Sequence, residues 1–242
     1  MEPTLRGVRR SLGLYYRDPV RAAAMDRLYR QFLPAGALAF DIGAHVGDRV
    51  ASFRRLGARV VAVEPQPALH RALRLIHGRA VGVTLVRAAV GRAPGRATLR
   101  INTANPTIST LSEAFIAASR DAPGWQGEAW PVSAEVEVTT LDGLITAHGR
   151  PDFLKLDIEG FEAEALAGLT QPVAALSFEF TTIQRSVAQA CLARCTALGF
   201  VRFNAALGES QQLGEWQDAA AMAHWLDTLP HDANSGDVYA AR

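Results

Sequence analysis

The chain has 242 residues, enough for one α/β domain, and no Pro/Gly/Ser-rich linker or run of like charge divides it. Its 25 basic and 24 acidic residues leave a formal charge of +1, and the arginines form no long basic block, which argues against nucleic acid as a partner. No apolar stretch reaches the ~20 residues needed to span a bilayer, and residues 1–10 lack a signal-peptide core, so a cytoplasmic setting is expected.

Val20, Met25, Leu28 and Phe32 stand at helical spacing and predict a leading helix over 18–32, ended by Pro34. Residues 1–36 are thus read as a helical cap on the sheet. Strand 37–42, helix 46–56, strand 59–64, helix 67–77 and strand 82–88 then form two successive βαβ units, the pattern of a parallel sheet with right-handed crossovers. Their near-continuous Val, Leu and Ala runs suit strands buried on both faces. Turn chemistry at 91–95 lies between 85–90 and 97–101 and predicts a hairpin-like excursion. Residues 102–133 lose periodicity and carry Trp125 and Trp130; so long an irregular stretch is usually functional, and a substrate flap is expected there. The pattern resumes with strand 135–140, a short helix from Leu141 or Asp142, buried strand 152–157, helix 161–169, strand 173–180, helix 182–198 and strand 200–204. An irregular or helical stretch with Trp216 and Trp225 precedes a last strand, 237–241. The expected fold is α/β: one domain over 1–242 with a doubly wound, seven-stranded mixed sheet and helices on both faces.

Two motifs carry chemistry. Residues 41–47 form a glycine-rich strand-to-helix turn, and Glu64 ends the next strand, so two acids stand at the carboxyl ends of successive strands, where such sheets bind ligands. A dinucleotide site needs G-x-G-x-x-G, but after Gly43 the second and third slots hold His45 and Asp48, which argues against NAD. The remaining D-x-G-x-x-x-G suits S-adenosylmethionine: Asp41 accepts from an amino-acid ammonium, Gly43 and Gly47 admit the backbone close to the ligand, and Glu64 takes both ribose hydroxyls. In the second motif, over 155–162, Lys155 and Asp157 share a strand face ahead of Glu159 and Gly160. A structural ion pair of the lysine with Glu159 or Glu162 competes with a site role. Cys191 and Cys195 read as core residues, because Leu198 stands where a third cluster-binding cysteine would be needed. The histidines show no triad or metal spacing.

With D-I-G-A-H-V-G (41–47), V-E-P (63–65), A-A-V-G (88–91), S-T-L (109–111), T-T-L-D (139–142) and K-L-D-I-E-G-F-E (155–162), the chain resembles the FkbM family of S-adenosylmethionine-dependent methyltransferases. The resemblance implies a Rossmann-like class I methyltransferase fold and methyl transfer to a hydroxyl of a sugar, polyketide or related small molecule. It implies cofactor contacts through Asp41, Gly43, Ala44, His45, Gly47, Glu64, Pro65, Ala88 and Ala89, with Asp157 near the methyl. Two positions depart from it: His45 stands where asparagine is common, and Arg87 where a small polar residue is expected. The expected catalytic groups are Asp157, Glu179 and Glu159, acting as general base or holding a divalent cation that acidifies the hydroxyl. Alternatives are an N-methyltransferase, for which a neutral amine needs little base, and a cofactor-binding protein without activity. Neither the acceptor nor the oligomeric state is legible.

Overall fold

A computed structural model of the protein describes residues 3–242, with side chains from Arg6 onward. Two helices come first, α1 (Pro3–Tyr16) and α2 (Pro19–Tyr29), where the sequence pattern predicted one; Asp18 starts the second, its carboxylate accepting from the backbone N–H of Val20 and Arg21. Then follow β1 (Leu38–Ile42), α3 (Asp48–Arg55), β2 (Arg59–Val63), α4 (Pro67–His77), β3 (Val83–Val86), β4 (Ala89–Val90), β5 (Gly95–Ile101), α5 (Glu113–Ser119) and β6 (Val132–Thr139). The second half runs α6 (Leu141–His148), β7 (Phe153–Leu156), α7 (Glu162–Ala167), β8 (Ala175–Thr181), α8 (Arg185–Ala197), β9 (Arg202–Leu207), α9 (Ala219–Thr228) and β10 (Ser235–Ala241).

The main sheet has seven strands in the order β3-β2-β1-β7-β8-β10-β9, parallel except for β10, which runs antiparallel to both its neighbours. This is the mixed, doubly wound α/β sheet expected. All five residues of β1 are buried, and their alternation feeds two cores. Leu38, Phe40 and Ile42 pack with residues of α6, α7, α8 and α9, while Ala39 belongs to the opposite core, with Met25 and Tyr29 of α2 and Val50 and Phe53 of α3. Cys191 and Cys195 are buried free thiols in the first of these cores.

The excursion after β3 is not a hairpin. Strand β6 inserts between β4 and β5, pairing parallel with one and antiparallel with the other, so that Val138 lies opposite both Ala89 and Gly95. The three strands form a second small sheet that buries Ala89, Leu99, Ile101 and Val136 together, an apolar face that two-residue β4 alone could not have covered.

Residues 102–131 carry more order than their composition predicts: a single 3₁₀ turn at Pro106–Ile108, and α5 capped by the Ser112 hydroxyl on the Phe115 N–H at 3.0 Å. The tryptophans anchor this segment. Trp125 sits edge-on to Phe115 at 5.3 Å, and Trp130 donates its indole N–H to the Ile108 carbonyl at 2.7 Å. Among the described residues no helix is long and apolar enough to cross a membrane.

Candidate active site

One cleft, with about 960 Å³ of empty space, opens over the carboxyl ends of β1, β2, β7 and β8. Its walls bring together Asp41, Gly43, Ala44, His45, Glu64 and Pro65 from the first two strand ends with Ala88 and Ala89 from the small sheet. Asp157, Glu159 and Glu179 complete it from the other side. Of the predicted residues only Gly47 is outside: it caps α3 at φ +85°, and a Cβ there would come within 2.7 Å of His77 and Leu73, so it serves the turn that aims its neighbours.

Gly43 has φ +82°, and a Cβ on it would lie 1.8 Å from the Asp157 carbonyl oxygen; the turn after β1 and the one after β7 meet there, backbone to backbone. Asp41 is buried, and its Oδ2 has no hydrogen-bond partner among the described residues. Burial, with Asp48 and Asp157 adding to it against the pull of Lys155, pushes its carboxyl up to about 7. Glu64 accepts from the backbone N–H of His45 at 2.9 Å and of Gln66 at 2.8 Å, yet burial still raises it to about 8. Burial lowers the His45 imidazole to about 4, so it is neutral at physiological pH; it packs edge-on to Tyr15 at 5.4 Å.

Across the cleft, Lys155 is 1% exposed and its ammonium lies 2.7 Å from Asp157 Oδ2 and 3.4 Å from Asp237 Oδ1. The competing ion pair with Glu159 or Glu162 is not what forms. Strand alternation puts Lys155 and Asp157 on one face, β10 delivers Asp237 from far along the chain, and Glu162 turns back to accept from the Ile158 N–H at 2.8 Å. Burial opposes ionisation of Asp157, but the Lys155 ammonium outweighs it and holds this carboxyl below its ordinary value. Burial and the neighbouring acids raise Glu159 and Glu179 well above theirs. Glu159, at φ +57°, is 4% exposed, and its backbone carbonyl accepts from the Thr110 hydroxyl at 2.7 Å. Ligand oxygens of Asp157, Glu159 and Glu179 all lie within 4.8 Å of one another. An acid held below its ordinary value thus stands against two that are raised above theirs, and the site holds more buried carboxyls than cations.

Sequence reasoning missed Tyr15, Arg49, Gln66, Thr107 and Glu209 on the cleft wall. Arg49 alone had left a signal, as a cation in the first turn of a helix, where the dipole disfavours it.

The fit to S-adenosylmethionine rests on these groups: an unpaired buried acid at Asp41, an acid with free acceptor capacity at Glu64, and a surplus of carboxyls for a ligand that carries a sulfonium and an ammonium. No curated protein matches the chain. Among solved structures it is similar to precorrin-6y C5,15-methyltransferase from Geobacter metallireducens (13% identity, 92% of this chain and 87% of that one, TM-score 0.45). It is also similar to a TehB-like SAM-dependent methyltransferase from Corynebacterium glutamicum (11%, 96% and 93%, 0.46) and to Aeropyrum pernix fibrillarin bound to S-adenosyl-L-methionine (12%, 94% and 76%, 0.46). Residues 41–233 match the methyltransferase FkbM domain. With most of its length inside that match, the chain belongs to the FkbM family of S-adenosylmethionine-dependent methyltransferases.

Proposed function

We propose that the protein transfers a methyl group to a hydroxyl of a small molecule, a sugar, polyketide or related compound. The observation that carries this reading is the meeting, in one cleft, of Asp157, which the Lys155 ammonium 2.7 Å away holds below its ordinary value, with Glu159 and Glu179, which burial and the neighbouring acids raise. An alcohol must lose its proton as it attacks, whereas a neutral amine need not, so a carboxylate held ionised beside the reacting centre favours oxygen as the acceptor.

In this reading Asp41 receives the cofactor's ammonium and Glu64 its ribose hydroxyls. Gly43, Ala44, His45, Pro65, Ala88 and Ala89 shape the surface beneath it, and Gly47 acts through the turn. The bound cofactor supplies an electrophilic methyl on a sulfonium, and the protein's task is alignment and exclusion of water. Asp157 takes the hydroxyl proton while Lys155 keeps the carboxylate ionised and oriented; Glu179 and Glu159, protonated, donate to the acceptor's other oxygens. A divalent cation is the second reading for the same three acids. Their oxygens are close enough to share an ion with metal–oxygen distances of roughly 2.0–2.6 Å, and such an ion would acidify the hydroxyl.

Turnover on hydroxyl acceptors and their amine analogues tests the proposal. With a hydroxyl acceptor, Asp157→Asn is expected to lower turnover by about 10²–10⁴-fold with little change in cofactor affinity. Full activity in both Asp157→Asn and Glu179→Gln, or preference for the amines, would refute it. Loss of activity on chelation, restored by Mg²⁺, would select the cation reading.

A further inference from the structure

At the end of the cleft beside Asp41, four charged side chains from three separate segments meet. Arg49, in the first turn of α3 and 7% exposed, directs Nη2 at both carboxylate oxygens of Glu209, at 3.0 and 2.9 Å, and Nη1 at Asp48 Oδ2 at 2.6 Å. Arg21 of α2 places Nη2 2.9 Å from Glu209 Oε2 and 2.9 Å from Asp48 Oδ2, and its guanidinium lies 4.8 Å from the centre of the Tyr15 ring. Two donors are left over: Arg49 Nε and Arg21 Nη1 are buried with no acceptor among the described residues. A cluster that only clamped a loop to the body would meet its buried donors, since each one unmet costs stability.

Glu209 differs from the other three. Its side chain is 47% exposed, and it follows Gly208, at φ +49°, in the loop after β9. It nevertheless turns its carboxylate onto the cleft wall that Asp41, Arg49 and Tyr15 also form. We propose that Arg49 and Arg21 are a seat for the carboxylate of the cofactor's amino-acid end, and that Glu209 occupies this seat in the free protein as an internal stand-in. The proposal rests on the proposed placement of the cofactor's ammonium at Asp41. Asp41 and Arg49 then receive the two charges of one zwitterion from adjacent positions. Replacing one carboxylate by another keeps the group of two cations and two anions neutral, so the exchange leaves no buried charge uncompensated. Arg49 and Arg21 act as positioning residues, fixing the end of the ligand remote from the methyl, and the loop after β9 moves outward as Glu209 is displaced.

Calorimetry with two probes tests this: S-adenosylhomocysteine, which has the amino-acid end, and methylthioadenosine, which has the same nucleoside without it. Arg49→Gln is expected to weaken S-adenosylhomocysteine about ten- to a hundredfold and to leave methylthioadenosine unchanged. Arg49→Lys, keeping the charge without the fork, should recover part of the loss. Glu209→Gln, at a half-exposed position, removes the competitor and is expected to tighten S-adenosylhomocysteine several-fold, again without effect on methylthioadenosine. Equal loss of both probes in Arg49→Gln, or unchanged or weaker S-adenosylhomocysteine binding in Glu209→Gln, overturns the seat alone. Wild-type protein that binds neither probe overturns the cofactor reading as well.

Discussion

Binding of a cationic cofactor end should release protons, because Asp41 is half protonated near neutrality in the free protein. Its carboxyl, at about 7, must ionise to receive an ammonium. If only the ionised form binds, the apparent dissociation constant scales as 1 + 10^(pKa − pH), a factor of about 11 at pH 6 and about 1.1 at pH 8. Asp41 alone therefore makes S-adenosylhomocysteine bind about tenfold tighter at pH 8 than at pH 6, with about half a proton released by this residue at pH 7. Glu64, at about 8, adds to the release in the same direction. Calorimetry in buffers of differing ionisation enthalpy counts the protons directly. Asp41→Asn cannot ionise, so this variant should bind more weakly, release about half a proton fewer at pH 7 and lose the tenfold contribution to the pH dependence. An Asp41→Asn protein with the full wild-type proton release and pH profile would refute the reasoning, as would wild-type affinity flat between pH 6 and 8.

The same two acids bear on stability without ligand. Burial holds both above their unfolded values, so at these two positions the folded protein binds more protons than the unfolded chain. Their stabilising contribution is complete below about pH 4 and is lost as pH rises through 7 and 8; urea unfolding midpoints should fall across pH 5–8, and S-adenosylhomocysteine should flatten the fall. Gly43→Ala would force a Cβ into the Asp157 carbonyl at a positive φ, so a loss of about 3 kcal/mol or more is expected from urea unfolding, against a gain of about 0.5–1 kcal/mol for Gly13→Ala, inside helix α1, where a Cβ meets nothing within 4 Å. Glu64→Gln leaves an amide nitrogen facing either the His45 or the Gln66 N–H, so stability should drop by about 1–3 kcal/mol and S-adenosylhomocysteine affinity by tenfold or more. Hydrogen exchange over residues 102–133 should slow on adding cofactor and acceptor together if the segment closes as a flap; equal protection in the free protein would make it a static wall.

The elements that sequence alone determined are those whose signal is local. The alternation of apolar runs with helical periodicity specified the doubly wound sheet, since a strand buried on both faces has to be apolar along nearly its whole length, as 38–42 is apart from Asp41 and 60–63 is throughout. The D-x-G-x-x-x-G turn and Glu64 pointed to the cleft because the carboxyl ends of neighbouring parallel strands converge there whatever the loops do. Tertiary structure decided the rest. Whether 97–101 folded back on 85–90 depended on a strand more than thirty residues later, β6, whose edges both segments needed. The partners of Lys155 depended on β10, which carries Asp237 to within 3.4 Å of the ammonium after most of the second half of the chain has intervened. The shifts of the acids followed from burial and pairing, which no spacing records: Asp157 is held below its ordinary value and Glu159 above its own, two residues apart, because the lysine ammonium forms its ion pair with the first. Arg49 and Glu209 meet for the same reason, since two surface-like charges 160 positions apart became neighbours only when the α3 turn and the loop after β9 were brought to one wall of the cleft.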